Sequence, residues 1–170
     1  MKPLLSLLAA ILLCATTLAQ QFDNSVVSHF DYKRFLGQWY EVARFDHWFE
    51  RDMHYVTSSY KELNNGKLEV TNTAIKDNKQ TTAIGKIKKT DNPAILRISF
   101  FGPFYSDYRI LLIDTDYQYA LIGSSKESLL WIMSRTPQLS PKDKETILNE
   151  AKRRHYDTSK LIWVKQQQKP

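Results

Sequence analysis

The stretch Gly37-Gln38-Trp39-Tyr40-Glu41 opens the first long alternating run of the chain and decides the fold. A glycine followed two residues later by tryptophan, at the start of a strand, lets a large aromatic side chain turn inward where the backbone lies close to its neighbours. Alone, this pattern is typical of an ordinary core residue. It becomes informative beside two later features. These are the turn sequence 114–117 between two apolar strands, and Arg135 directly after the apolar run 128–134.

The sequences around these features extend the pattern, and they read WYEVARFD at 39–46, SFFGPFY at 99–105 and LWIMSRTP at 130–137. Together they resemble the lipocalin family, and most closely its bacterial subgroup, the relatives of apolipoprotein D. The resemblance covers residues 30–164. It implies an all-β fold, an eight-stranded up-and-down antiparallel β-barrel with a C-terminal α-helix packed outside it.

The alternation of apolar and polar residues predicts the same number of strands. They are expected at 38–45, 55–63, 67–75, 80–88, 94–100, 107–113, 117–123 and 128–134. Asn64-Asn65-Gly66 is a strong signal for a tight hairpin, because its central positions tolerate positive φ, and Asp77-Asn78-Lys79 predicts a further turn. Eight is also the number of strands at which a closed barrel can hold one small ligand. A short helical turn over 30–36 would close one end of it.

A helix is predicted after the last of these strands. Ser140 is a good N-cap, Pro141 suits the first helical position, and Asp143 stands where a capping-box acid would. Ile147, Leu148 and Ala151 form one narrow apolar stripe, which predicts a helix docked on the outside of a sheet. A last short strand is expected over 161–164.

The N-terminus predicts export. Lys2 precedes a short apolar stretch over 4–13, and Thr17-Leu18-Ala19 places small residues where a signal peptidase cleaves. We therefore predict a signal peptide over 1–19 and a single lipocalin domain over 20–170, located in the periplasm or secreted. Two alternatives are an uncleaved anchor and an outer-membrane lipoprotein acylated at Cys14, although Leu13 is larger than the residue that lipidation favours before the cysteine.

Composition excludes several functions. Cleavage after Ala19 removes the single cysteine, and with it a disulfide framework, a thiolate nucleophile and a cysteine metal site. The net charge is +6 and its basic residues are scattered, which predicts solvated faces and no nucleic-acid partner. Weak attraction to anionic lipid headgroups is the alternative interpretation of that charge.

Candidate ligand-binding residues follow from strand parity, which places one face of each strand in the barrel that the resemblance implies. They are mostly apolar, with a few hydroxyls and amides, and small residues among them leave room. The predicted set is Ala43, Val56, Ser58, Tyr60, Val70, Asn72, Ala74, Leu96, Ile98, Tyr108, Ile110, Ala120, Trp131 and Met133. Parity does not distinguish a hollow interior from a filled one; the cavity is implied by the resemblance.

The resemblance implies a small hydrophobic or amphipathic lipid as partner, of the fatty acid or lysophospholipid class, stored or carried in the cell envelope by a monomer or dimer. An interior of this mixed kind suits an acyl chain with a polar end. One alternative is an envelope interaction protein whose aromatic loop, with Trp48, Phe49 and Met53, docks to a membrane or partner. That loop could equally rim a ligand entrance or fold over the core.

A lipid-modifying enzyme is the third interpretation, and the sequence offers little for it. None of the four histidines stands at metal-binding spacing, and Asp114 and Asp116 suit a turn better than acid–base catalysis. We therefore predict no catalytic residue, no metal and no cofactor. Glu41 points inward by parity, so its pKa would be raised unless it is paired with a backbone amide or an arginine near the closed end. The resemblance places Arg135 over the indole of Trp39, in a structural role.

Overall fold

The computed structural model describes residues 21–166, and in this part of the chain nine β-strands form one sheet. The strands are β1 Gly37–Arg44, β2 His54–Glu62, β3 Leu68–Lys76, β4 Lys79–Lys89, β5 Ile95–Phe101, β6 Phe104–Ile113, β7 Tyr119–Gly123, β8 Leu130–Ser134 and β9 Ile162–Trp163. The helices are α1 Tyr32–Phe35 and α2 Pro141–Arg153, and a 3₁₀ turn spans Thr158–Lys160. The predicted signal peptide, its cleavage after Ala19 and Cys14 lie outside the described residues.

Each of the first seven strands pairs antiparallel with the next, and β1 pairs with both β2 and β8. The sheet therefore closes into the eight-stranded up-and-down barrel that the sequence predicted. The turns are tight where the sequence indicated: Gly66 has a φ of 75° between β2 and β3, and Asp77 and Asn78 have φ of 52° and 59° between β3 and β4. Positive φ at both central residues matches the twist of a hairpin.

One end of the barrel is closed by α1 and by a solid apolar core. The indole Nε1 of Trp39 donates a 2.8 Å hydrogen bond to the carbonyl of Phe35, and the two rings stack with centroids 4.6 Å apart. Phe30 packs against Phe35 in the same layer. The barrel interior is thus filled at this end.

Helix α2 packs on the outside of the barrel, as predicted. The Ser140 hydroxyl accepts a hydrogen bond from the Asp143 amide and donates one to its carboxylate, which caps the first turn. Ile147 and Ala151 are fully buried against outward-facing residues of the wall, among them Leu121. Within residues 21–166, no helix combines the length and apolar character that a membrane crossing requires.

Strand β1 carries an irregularity that changes which residues face inward. Its pairing with β8 shifts register between Glu41 and Ala43, so Ala43 lies opposite Ile132 in the outer cluster beneath α2. A one-residue shift moves a side chain to the other face of a sheet. The parity that placed Ala43 beside Trp39 and Glu41 inside the barrel therefore fails beyond the shift.

The segment after α2 returns to β1 and completes this part of the wall. Strand β9 pairs antiparallel with β1 beyond the register shift, at Ala43 and Arg44. The Lys165 carbonyl accepts a 2.8 Å hydrogen bond from the Tyr55 amide. The Gln166 side-chain amide donates to the Glu41 carbonyl at 2.7 Å and to the Val56 carbonyl at 3.0 Å. This segment, 162–166, therefore ties β1 to β2 at the open end of the barrel.

Candidate ligand-binding cavity

The open half of the barrel contains a cavity of about 290 Å³. Its wall is made by side chains of β1, β2, β3, β5, β6 and β8 and by the loop between β1 and β2. The larger share of the sequence-predicted residues lies on it: Ser58, Tyr60, Val70, Asn72, Ile98, Tyr108, Trp131 and Met133.

The remaining predicted residues do not line the cavity. Leu96, Ile110 and Ala120 are buried in the solid core at the closed end, because the hollow occupies only the upper half of the barrel. Val56 and Ala74 pack with Val164 at the rim, where the 162–166 segment covers them. Ala43 lies outside the barrel for the reason given above.

The mouth of the cavity is lined by aromatic side chains from two loops. Trp48 and Phe49, in the loop between β1 and β2, are 77% and 41% exposed. Phe101 and Phe104, on either side of the turn between β5 and β6, are 75% and 78% exposed. The loop aromatics thus border an entrance, whereas Met53 packs beside Val56 and Ala74.

The floor of the cavity carries two tyrosine hydroxyls. The hydroxyl oxygens of Tyr60 and Tyr108 lie 2.7 Å apart and share a hydrogen bond across the barrel. Burial raises the pKa of Tyr60 to about 12 and holds that of Tyr108 well above its ordinary value, so both are neutral. Above them, the side-chain oxygen of Asn72 has no hydrogen-bond partner among the described residues. The floor thus offers neutral groups that both donate and accept.

One wall carries a buried group of charges. The Arg44 guanidinium donates to Glu41 Oε1 at 2.8 Å and to the Glu50 carbonyl oxygen at 2.6 Å. Its Nε lies 4.0 Å from a Glu50 carboxylate oxygen. All three residues are buried. The sequence left open a backbone amide or an arginine near the closed end as the partner of Glu41. The partner is an arginine, Arg44, but it lies three residues along the same strand, beside the loop at the open half of the barrel.

Glu50 fastens the aromatic loop to β8. Its Oε2 accepts a 3.0 Å hydrogen bond from the indole Nε1 of Trp131. The His47 Nε2 lies 2.8 Å from the same oxygen, but in a direction that forms no hydrogen bond. The imidazole packs between the rings of Phe49 and Trp131, with centroids 4.7 and 4.9 Å away. A single carboxylate thus positions both the loop and a cavity-lining tryptophan.

The protonation of Glu41 follows from its surroundings. Burial, followed by the nearby carboxylate of Glu50, raises the pKa of Glu41 to about 8, and Arg44 only partly opposes this rise. Two buried carboxyl groups share one guanidinium here, and the more deeply buried of them, Glu41, holds a proton at neutral pH. Glu41 is then a polar but uncharged part of the wall.

Sequence reasoning missed several lining residues. Glu50 lies in a loop, outside the alternating strand runs, and parity says nothing about loops. Phe101 and Phe104 flank the turn at Gly102-Pro103. The sequence predicted this turn but not the pair of exposed aromatic side chains beside it. The signal available for this pair was the same one noted for Trp48 and Phe49: large apolar residues at a loop tip. Among the described residues, no three acidic or histidine side chains are arranged to hold a metal ion.

A closed antiparallel barrel of eight strands, with an apolar cavity open at one end, is the architecture of the lipocalin class. The chain belongs to the lipocalin family: the profile of the lipocalin-like domain matches residues 30–166. It is 43% identical to outer membrane lipoprotein Blc of Escherichia coli over 146 residues, which cover 84% of this chain and 82% of that protein. Mouse apolipoprotein D is 31% identical over 127 residues, 68% of this chain and 66% of the relative.

Solved structures agree on the fold. Insecticyanin from the tobacco hornworm Manduca sexta superposes with a TM-score of 0.72 at 23% identity, covering 88% of this chain and 87% of that one. At this identity the likeness concerns the barrel architecture alone.

Proposed function

We propose that this protein binds one single-chain amphiphilic lipid, of the fatty acid or lysophospholipid class, and carries or stores it in the cell envelope. The observation that carries the proposal is the cavity of about 290 Å³, apolar over most of its surface and open at one end. This volume lies at the lower limit of the roughly 300–1,000 Å³ that ligand pockets occupy, and so favours one chain over two.

The chemistry of the wall supports an amphiphile. Val70, Ile98 and Met133 offer apolar surface for an acyl chain, whereas Tyr108, Asn72 and Glu50 offer hydrogen-bonding groups for a polar end. The predicted set that lines the cavity, together with the aromatic mouth, is therefore the proposed binding site. We propose no catalytic role, since the buried charges pair with one another and hold the loop and Trp131 in place.

The envelope location is part of the same proposal. It is supported by the predicted signal peptide over 1–19 and by relatives that are named outer membrane lipoproteins. The intact mass of the protein recovered from its own cells distinguishes the alternatives. A chain beginning at residue 20 supports the soluble exported form, and an acylated chain beginning at Cys14 replaces it with a lipoprotein.

Lipid extraction tests the binding function. The purified protein is extracted with organic solvent and the extract is analysed by mass spectrometry; an amphiphile in stoichiometric amount is expected. Delipidated protein should then bind a fluorescent fatty acid with a saturable stoichiometry of one. Absence of both co-purified lipid and saturable binding would contradict the proposal.

A second candidate is docking on a membrane surface through the aromatic mouth. It is favoured by Trp48, Phe101 and Phe104, which are more exposed than apolar side chains usually are. Flotation with lipid vesicles tests this candidate: binding to vesicles that is lost in Trp48→Ser but kept in Ile84→Ser would support it. Ile84 is the control because it is also exposed but does not line the cavity.

Turnover of a labelled lysophospholipid tests the remaining alternative, a lipid-modifying enzyme. We expect the labelled lipid to be recovered unchanged from a stoichiometric complex.

A further inference from the structure

Within the described part of the chain, acidic side chains line the cavity, and basic side chains do not. Among residues 21–166, no lysine or arginine lines the cavity, whereas Glu41, Glu50 and Asp107 do. Asp107 is directed elsewhere, because its carboxylate oxygens lie 3.7 Å from Arg97 and 3.7 Å from Arg109 on the outer face of the barrel. The ionisable groups that a ligand meets inside are therefore Glu41 and Glu50.

The local charge balance of these two carboxyl groups is incomplete. Arg44 is the one guanidinium in contact with them within the described residues. Two carboxyl groups thus share a single guanidinium. Inside a barrel an unbalanced carboxylate is costly unless it takes up a proton or meets a cation. At neutral pH a proton on Glu41 supplies the missing positive charge, and a bound cation can replace it as Glu41 ionises.

The cavity also presents the aromatic faces that a cation prefers. Trp131 and Phe49 line it next to Glu50, and Tyr108 lines its floor. An ammonium group close to aromatic faces is attracted by the ring quadrupole, and the attraction strengthens where water is excluded. A carboxylate in the same position would face both the acidic side chains and the negative faces of the rings.

We propose that the cavity selects amphiphiles whose polar end is positively charged, an amine or ammonium group, over those that end in a carboxylate, with Glu41 and Glu50 as counter-ions. This inference rests on the proposed lipid-binding function and narrows its ligand class. The acyl chain lies against Val70 and Ile98, and the ammonium group lies at the wall formed by β1, β8 and the aromatic loop.

A proton on Glu41 competes with the ligand. The groups that face Glu41 are Arg44 from its own strand, Glu50 and His47 from the loop, Tyr60 from β2 and Tyr108 from β6. Both tyrosines are neutral, since burial raises the pKa of each. The pKa of Glu41 is raised to about 8, so its carboxyl group becomes negatively charged as the pH rises through that value. Cation affinity should therefore increase from pH 6 to pH 9.

The test compares three probes with the same twelve-carbon chain: dodecyltrimethylammonium, dodecanoate and dodecanol. Each is titrated into delipidated protein below its micelle concentration, with calorimetry or displacement of a fluorescent fatty acid as the readout. The permanent charge of the ammonium probe keeps its own titration out of the pH series. We expect it to bind at least about tenfold more tightly than dodecanoate at pH 8, the scale of a cation–π contact from which water is excluded.

Variants of the two glutamates test whether they cause the preference for the ammonium probe. Glu50→Gln and Glu41→Gln should each reduce the ratio of ammonium to carboxylate affinity severalfold. Uncharged dodecanol reports separately any change in the shape of the cavity. Asp107→Asn is the matched control, because it removes a carboxylate next to the cavity whose charge is engaged outside it. Circular dichroism checks that each variant is folded, and the comparison of probes on the parent protein needs no variant at all.

The outcomes separate this inference from the proposed function. Tighter or equal binding of dodecanoate by the parent overturns the inference and leaves lipid binding intact. If none of the three probes binds, both fail. Dodecylphosphocholine distinguishes the source of the cation: affinity equal to that of the ammonium probe supports a phospholipid headgroup, and weaker affinity supports a simple long-chain amine.

Discussion

The guanidinium of Arg135 lies 3.9 Å from the ring centre of Trp39, a side chain with 0% exposure. The same guanidinium donates hydrogen bonds to the carbonyl oxygens of Gln38, Arg34 and Leu36, at 2.8, 2.9 and 3.0 Å. It therefore joins β1, α1 and the end of β8 at the closed end of the barrel. The position expected from the family resemblance is confirmed.

Replacing Arg135 with alanine should reduce the free energy of unfolding by about 2–4 kcal/mol, since a cation–π contact and several carbonyl partners are lost together. Arg135→Lys should recover only part of this, because an ammonium group cannot form the same planar fork. Chemical denaturation measures both variants.

Arg34→Ala is the control for this prediction. Arg34 lies 4.2 Å from the Tyr117 ring centre but is exposed, so its loss should cost less than about 1 kcal/mol. Equal losses for the two arginines would show that burial does not strengthen the contact. Ligand affinity should be unchanged in both, because the cavity lies at the opposite end.

Trp131→Ala should weaken binding of a fatty-acid probe by about 1–3 kcal/mol, the contribution of one large apolar contact. Trp131→Phe keeps a ring in the wall but removes the hydrogen bond to Glu50, so it should have an intermediate effect. Displacement of a fluorescent fatty acid gives the affinities. Trp163→Ala, on the outside of the barrel over Lys144, should bind like the parent; if it does not, the loss in Trp131→Ala cannot be assigned to the cavity.

Trp48→Ser should change the rates of ligand entry and release severalfold while the melting temperature moves by less than about 2 °C. The physical reason is that Trp48 is exposed and lies at the mouth. Stopped-flow fluorescence measures the rates. Phe49→Ser should act in the same direction with a larger stability loss, since Phe49 also stacks on His47. A melting temperature that falls sharply in Trp48→Ser, with unchanged kinetics, would assign this residue to the core.

Glu41 should make stability depend on pH. Its folded pKa, about 8, is raised above the ordinary carboxyl value of 4.5, so the folded state binds an extra proton between these values. This contribution to stability is fully present below pH 4.5 and is lost as the pH rises through 8. Glu41→Gln, which stays neutral, should remove a slope amounting to on the order of 2–3 kcal/mol between pH 5 and pH 8.

Denaturation midpoints at several pH values for parent and variant test this, with exposed Glu145→Gln as the control. An identical pH slope in Glu41→Gln and the parent would mean that Glu41 is ionised across the range.

The fold could be predicted almost completely from the sequence because its signals are local. Alternation marked each strand to within a few residues, Gly66 and Asp77-Asn78 marked hairpins, and Ser140 with Asp143 marked the start of the helix. The interior could be predicted only in part. Tyr60, Tyr108 and Trp131 follow parity, but Ala43 does not, because the register shift in β1 arises from pairing with β8, far away in the sequence.

The position of the cavity floor could not be predicted either. Leu96 and Ile110 share the inward face with Ile98 and Tyr108, and what separates core from cavity is the height to which Phe35 and Trp39 fill the barrel. Glu50 could not be predicted as a cavity residue for a different reason. A glutamate in a loop is ordinarily solvated, and only the folded contact with Trp131 brings it into the wall.

The 162–166 segment has a consequence for the order in which the chain acquires its shape. Gln166 bonds to the Glu41 carbonyl across 125 residues of sequence, so a ribosome must synthesise nearly the whole described chain before β1 meets its last partner. Until then the edge of β1 beyond the register shift stays open. The barrel itself closes earlier in the sequence, where β8 pairs with β1, so the last residues described cover the edge of a barrel that is already closed.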